Sequence, residues 1–462
     1  MQRWIFFHRS NVIANMSPGN CRNLARGLRV VLAVAALAGA PEAGAQLRLP
    51  TLPSLSPLLR NPLADRVDQA VDQTLAPLDL AGVRLAEVVR RARAHRRELD
   101  RDPHGELIVR GELLAQPSSP AARDALRAAG FVELREEALD GLDEPLRVLQ
   151  PPRALSLSDA VARARALDPD GAYDYHHVYL GGGAVGGAAS TLSVPSAGAV
   201  AGEGEGLRVG LVDSGVDAAH PSLRGATLRV HGCDDGAHPA PHGTAVASLM
   251  VGRGPGAAFR SALPRAALFA GDAYCDAVTG GSVEAVAREL AWLAREQVAV
   301  VNVSLVGPSN QILQRLIAHA VAQGVLIVAA AGNDGPAAPP LYPAAWPGVV
   351  GVGAVDGRLR LLPEGARGPQ VMFVAPGADM AAAAAGTRAF APVRGTSFAA
   401  PLVAGLLAAS YQQASPAGAR EAIARLAATA RPLAAGTPAD GFGRGLVGEA
   451  LRTAPEAVTL VR

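Results

Sequence analysis

Three residues, far apart in the chain, have the types needed to activate a hydroxyl for attack. They are Asp213 in Val212-Asp213-Ser214-Gly215-Val216, His242 in His242-Gly243-Thr244, and Ser397 in Gly395-Thr396-Ser397-Phe398-Ala399-Ala400-Pro401. A serine hydroxyl is a weak nucleophile until a base stands within hydrogen-bond reach. Imidazole is the side chain whose ordinary titration falls near neutrality, which makes His242 the candidate base. A carboxylate behind the ring fixes its tautomer and stabilises its charged form, the part assigned to Asp213. The chemistry such a set performs is acyl transfer. Ser397 is expected at a helix N-terminus, where backbone N–H groups favour developing negative charge.

A fourth segment, Ala329-Ala330-Ala331-Gly332-Asn333-Asp334-Gly335, ends an apolar run in an amide. The side chain of Asn333 and the Ser397 backbone N–H are the candidate oxyanion-hole donors. Asn-Asp-Gly is also a good turn sequence, so a cap after a strand is the alternative for Asn333. The chain order Asp, His, Ser differs from the His-Asp-Ser of chymotrypsin-type enzymes and from the Ser-Asp-His of α/β-hydrolases. The serine segment also lacks the second glycine of a nucleophile elbow.

Together with their flanking residues, the four motifs resemble the subtilisin-like serine peptidases, from roughly Leu207 to Leu451. The resemblance implies a serine endopeptidase that cuts protein or peptide substrates through an acyl-enzyme intermediate. Substrate would pair as an added strand against Val303-Ser304-Leu305-Val306-Gly307. Ser304, Leu305 and Gly307 on one side, with Ala331 and Gly332 on the other, would line the primary specificity pocket. Their small, apolar character, with no acid to recruit Arg or Lys, implies a preference for apolar or otherwise undemanding side chains. A catalytically silent binding protein of the same fold is the rival class, and the intact triad and Asn333 argue against it. The chain departs from better-known members at Ala245, Ser248 and the short stretch Gly252 to Pro264. No cofactor is expected; calcium stays open, although no calcium site is recognisable. Cys233, His238 and His242 could be drawn as zinc ligands with Asp234 and Asp235, but coordination would remove the base.

The elements that must hold these residues follow from hydrophobic period. Buried strands are expected at Arg208 to Val212, Ala267 to Ala270, Val298 to Leu305, Val325 to Ala330 and Val349 to Val355, apolar on consecutive positions as strands covered on both faces are. Helices are expected at Thr244 to Met250, Val283 to Arg295, Gln311 to Gln323 and Phe398 to Ser410. The fold class is α/β, a parallel sheet sandwiched by helices, spanning residues 207–462. Before it, residues 105–180 read as a small α+β domain of split βαβ type. Its strands are expected at Leu107 to Val109, Phe131 to Leu134, Leu146 to Leu149 and Tyr173 to Leu180, and its helices at Pro120 to Ala129 and Leu157 to Leu167. The resemblance implies that this domain is a propeptide-like folding assistant and intramolecular inhibitor. Residues 46–104 form a Leu/Pro-rich, then helical, leader, and residues 181–206 read as a flexible Gly/Ala/Ser linker.

The chain has 462 residues, a net charge of +2 and no lysine among its 43 basic residues, which argues against a dedicated nucleic-acid binder. The run Arg90, Arg91, Arg93, Arg96, Arg97 is expected to be a solvated helix face. Arginines before Val30 to Ala38, followed by Ala43-Gly44-Ala45, have the layout of a secretory signal over residues 1–45. Export to the periplasm or medium is therefore expected, with no stable membrane insertion. Cys233 and Cys275 remain after the signal, and both a disulfide and two buried thiols are open. His220 is expected in the loop after the first catalytic strand, and His176 and His177 in the last leader strand as structural residues.

Overall fold

The computed structural model describes residues 80–139, 145–185, 205–234, 236–254, 259–433 and 442–458. The expected secretory signal, residues 46–79 of the expected leader and most of the linker lie outside the described residues. Among those described, no helix is long and apolar enough to cross a membrane.

The first elements are helix α1 (Leu80–Ala94) and strands β1 (Leu99–Arg101) and β2 (Leu107–Gln116). They are followed by α2 (Pro120–Ala128), β3 (Val132–Glu137), β4 (Leu146–Gln150), α3 (Leu157–Leu167) and β5 (Ala172–His177). Both α2 and α3 start where a serine can cap them: Ser119 accepts from the Ala122 N–H, and Ser156 from the Asp159 N–H. The antiparallel sheet runs β3, β4, β2, β5, the order a split βαβ requires. β1 adds a fifth strand against Leu107 to Val109, so the sheet begins before the expected boundary at residue 105. β2 continues well past Val109 because a register shift between Ile108 and Leu113 absorbs Arg110, Gly111 and Glu112.

Two short strands follow, β6 (Leu180–Gly181) and β7 (Ala184–Val185). The next segment holds β8 (Arg208–Asp213), β9 (Leu228–His231), α4 (Pro241–Val251), β10 (Ala267–Asp272), α5 (Val283–Arg295), β11 (Val300–Val303) and β12 (Leu305–Val306). The chain then forms α6 (Gln311–Ala322), β13 (Leu326–Ala330), β14 (Val350–Val355), β15 (Phe373–Pro376), β16 (Met380–Ala383), β17 (Phe390–Arg394), α7 (Thr396–Ala408) and α8 (Pro416–Thr429). Seven strands make a parallel sheet in the order β15, β14, β13, β11, β8, β10, β9. Helices α4, α7 and α8 pack on one face, through Val246, Leu249, Leu402, Val403 and Leu426. Helices α5 and α6 cover the other with Val286, Leu290, Leu293, Ile312 and Leu316. Burial on both faces explains why the central strands carry apolar residues without alternation.

The order of strands reverses at β8: β9 and β10 lie to one side and β11 onward to the other. Ligands of open α/β sheets bind at such a switch point, beyond the carboxyl ends of the strands. Asp213 ends β8, Ser304 follows β11, and Asn333 follows β13. One crevice therefore collects residues 120 positions apart in sequence order, as their motifs require.

Candidate active site

Asp213 is buried at the end of β8, and both its oxygens face the His242 ring: Nδ1 lies 2.8 Å from Oδ1 and 3.0 Å from Oδ2. Oδ1 also accepts from the Ser214 N–H at 2.7 Å and the Ser214 hydroxyl at 3.1 Å. The Ser214 hydroxyl in turn accepts from the Gly243 N–H at 3.0 Å, tying the carboxylate strand to the helix that carries His242. A carboxylate accepts here, so Nδ1 carries a hydrogen, and in the neutral ring that leaves the lone pair on Nε2. Nε2 is buried and has no hydrogen-bond partner among the described residues.

Ser397 is the second residue of α7 and is fully buried. Its hydroxyl donates to the Ser304 carbonyl oxygen at 3.1 Å, so it rests turned away from the imidazole. The helix start has an unusual solution to its backbone accounting. Pro401 stands four residues after Ser397 and has no N–H to give the Ser397 carbonyl. The Ser304 hydroxyl donates to that carbonyl instead, at 3.0 Å, and itself accepts from Asn302 Nδ2 at 2.8 Å. The family resemblance implies a pocket-wall role for Ser304; what the structure shows is a brace for the Ser397 backbone.

Asn333 is oriented by its own oxygen, which accepts from the Thr396 N–H at 3.0 Å. That leaves Nδ2 aimed into the crevice, where it donates to the Gly182 carbonyl oxygen. The expected alternative, a local turn cap, is replaced by a bond across 151 positions of sequence. Gly395 must be glycine on two counts. Its φ is +136°, and a Cβ there would lie 2.9 Å from the Gly182 carbonyl oxygen and 2.8 Å from Gly183 Cα.

Residues 181–185 correct the expected linker. They are not a tether but thread the crevice, and only residues 186–204 of that stretch lie outside the described residues. β6 pairs antiparallel with β12, Leu305 opposite Gly181 and Val306 opposite Leu180. β7 pairs with β17 on the far side of Ser397, Ala184 opposite Arg394 and Val185 opposite Val393. Between them the Gly182 N–H donates to the Ser304 carbonyl at 3.3 Å. The last leader strand ends at His177 rather than Leu180. Beyond it Tyr179 is clamped: its N–H donates to Gly281 at 2.8 Å, and its carbonyl accepts from the Tyr274 hydroxyl at 2.8 Å. The Tyr179 ring lies over Gly307, where a Cβ would come within 2.8 Å, and its hydroxyl donates to the Pro308 carbonyl at 2.6 Å. Ala331 belongs to an apolar cluster with Val355, Val371, Val374 and Leu446, while the Gly332 N–H donates to the Thr396 hydroxyl at 3.1 Å.

Cys233 and Cys275 form a disulfide with their Cα atoms 5.5 Å apart, which removes Cys233 from any zinc set. The bond anchors the loop from Tyr274 to Ser282 that holds Tyr179. Asp272, opposite Asp213 in the sheet, is a neighbour that the motifs do not reveal. Burial pushes its carboxyl up, against the N–H groups of Cys275 and Tyr274 that hold it down. Among the described residues, Glu112, His176 and Glu284 also approach closely, but Arg135 donates to both carboxylates. They are not the six to eight oxygens that calcium takes. His220 lies in the loop after β8, bonded to Ser222 and the Ala389 carbonyl, and burial lowers its basicity. His177 is held between Asp102 and Asn310, and His176 lies against Glu112. Of the arginine run, Arg90, Arg93, Arg96 and Arg97 are exposed, but Arg91 donates to the Val278 carbonyl at 3.0 Å. Arg84, on the same helix, pairs with Glu106 at 2.7 Å and with Asp334, next to Asn333.

A central parallel sheet with a buried Asp paired to a partly buried His, a serine at a helix start and an amide facing it across one crevice defines a subtilisin-like hydrolase fold. Residues 204–445 match the Subtilase family, and the chain belongs to that family. It is 29% identical over 212 residues to subtilisin amylosacchariticus of Bacillus subtilis subsp. amylosacchariticus, covering 44% of this chain and 55% of that protein. It is 29% identical over 253 residues to subtilisin DY of Bacillus licheniformis, covering 53% of this chain and 90% of that one. The chain thus spans about half the length of the first of these relatives. Among solved structures, fervidolysin from Fervidobacterium pennivorans, a keratinolytic enzyme related to subtilisin, superposes with a TM-score of 0.59 at 19% identity. That likeness covers 74% of this chain and 60% of fervidolysin, and it speaks to the fold.

Proposed function

We propose that this chain is an exported serine endopeptidase that is made with its own leader lying in its cleft. One observation carries the reading: the Gly182 carbonyl is held by Asn333 beside Ser397, with backbone pairing on both sides of it. That is the pose of a peptide awaiting cleavage. In this reading the Ser397 hydroxyl leaves the Ser304 carbonyl and its proton passes to His242 Nε2. Its oxygen then bonds to the carbonyl carbon, and Asn333 Nδ2 meets the negative oxygen that results. Collapse breaks the carbon–nitrogen bond, and the imidazolium returns the proton to the leaving amine. Water repeats the sequence on the acyl-enzyme, releasing the carboxylate and restoring the hydroxyl. Asp213 stays ionised throughout and stabilises the charged ring.

In this reading residues 80–182 inhibit by occupying the cleft that protein or peptide substrates need. The arginine-preceded apolar segment and small-residue site within residues 1–45 support export. The test is labelling of the full chain with a fluorophosphonate, followed by hydrolysis assays on a peptide and on an ester. The proposal expects a serine adduct on Ser397 and peptide turnover. Ester turnover with no cleavage of any peptide would point to an acyl hydrolase of another kind.

A further inference from the structure

We infer that Phe398 makes this peptidase selective for glycine immediately after the scissile bond, and that the bond it cuts in its own chain is Gly182–Gly183. The inference rests on the endopeptidase reading and narrows its substrate class. The residue before the bond is Gly182, whose carbonyl is held by Asn333. The residue after it, Gly183, lies against the ring of Phe398. A Cβ on Gly183 would come within 2.6 Å of Phe398 Cε2 and 3.2 Å of the Arg394 carbonyl oxygen. Contacts under about 3 Å require one of the two groups to move.

Neither can do so freely. The Phe398 ring is fully buried in the core cluster of α4, α7 and β17, and its other neighbour is the His242 ring, 5.3 Å between centroids. A shift of the phenyl ring displaces either the core or the base. The substrate strand is pinned on both sides as well, by β6 on β12 and by β7 on β17, so Gly183 cannot back away. The preceding positions are less restrictive. A Cβ on Gly181 would meet His242 at 3.5 Å, an ordinary contact, and one on Gly182 would approach the rotatable Ser397 hydroxyl at 2.8 Å and Val306 at 3.3 Å. Selection is therefore sharpest at the position facing Phe398. The chemical class of substrate is an extended peptide in which glycine supplies the leaving amine.

The test uses the processed protein and two quenched fluorescent peptides with the sequence of residues 177–186, one unchanged and one with leucine at the Gly183 position. Wild type is expected to cut the unchanged peptide after its Gly182 position. It should cut the leucine peptide there with kcat/KM lower by roughly 10- to 100-fold, the cost of overpacking a fixed site. The Phe398→Ala and Phe398→Leu enzymes are each compared with both peptides. The ratio of the two rates cancels any general loss of activity, and it should approach one in either variant. In the full chain, Gly183→Leu should keep the 182–183 bond intact by mass, and Phe398→Ala should restore the cut. Equal rates on both peptides in wild type would overturn the inference, as would a ratio unchanged by both Phe398 variants. Failure of wild type to cut any peptide would instead refute the endopeptidase reading on which it rests.

Discussion

Replacing Tyr179 by alanine should loosen the leader from the enzyme without touching any residue of the processed enzyme. The ring is fully buried between the loop at Tyr274–Ser282 and Gly307, and its hydroxyl is bonded to the Pro308 carbonyl. A buried aromatic side chain removes roughly 150–250 Å² from water. At about 25 cal/mol per Å² that is ~4–6 kcal/mol, an upper bound because the free leader covers part of the ring itself. Interface anchors truncated to alanine cost about 2–4 kcal/mol, so ~3 kcal/mol is the working value. At 1.4 kcal/mol per decade this is roughly a 150-fold weaker leader. Tyr179→Phe removes only the hydroxyl and should cost about 1 kcal/mol, or ~5-fold. The assay is serial dilution of the processed protein with a fluorogenic peptide, because activity appears as the leader dissociates. The midpoint should move to higher concentration by these factors, alanine far beyond phenylalanine. Coinciding midpoints for wild type and Tyr179→Ala would refute the claim that the leader is held through this residue.

Asn333→Ala should lower kcat with little change in KM, since Nδ2 faces the carbonyl oxygen where charge develops; about 10²–10³-fold is the range for such donors, subtilisin itself being the reference case. A KM effect of the same size would make Asn333 a binding residue instead. Cys275→Ser should raise KM more than it lowers kcat, because the disulfide anchors the loop that carries Tyr274 and Gly281; equal KM values would contradict that role. Burial alone would raise Glu112, but the hydrogen bonds and charges of His176 and Arg135 bring it from 4.5 down to about 2. A depressed carboxylate stabilises the fold fully above its ordinary titration and loses that contribution as pH falls through the folded value. Thermal stability of the full chain should therefore fall between pH 4.5 and about 2, and Glu112→Gln should flatten that limb. Parallel pH slopes would show that Glu112 contributes nothing there.

Much of this architecture is visible in the residues because burial leaves a pattern. Helices α3 and α5 begin and end where the periodicity places them, and each is capped by a serine. Strand β8 extends one residue past its expected end, to Asp213 itself. Strand β9 gives no such signal: Arg229 and Val230 are exposed on an edge, and four residues are too few to show a period. The Ala-rich strand β16 reads like any small-residue loop. The cleft segment is the deeper case. Gly181, Gly182 and Gly183 carry no side chain, so no pattern marks them as more than linker, yet backbone pairing and the space they leave are what seat them. The bracing role of Ser304 is hidden for a related reason, since it follows from the N–H that Pro401 lacks, 97 positions away on another element.

The most direct test of the account is the intact mass and peptidase activity of Ser397→Ala beside wild type. With the hydroxyl gone and Asp213, His242 and Asn333 in place, hydrolysis should be lost and the Gly182–Gly183 bond should survive, while wild type yields a fragment beginning at Gly183. Peptide turnover near the wild-type level, or the same fragment from Ser397→Ala, would mean that another residue makes the attack.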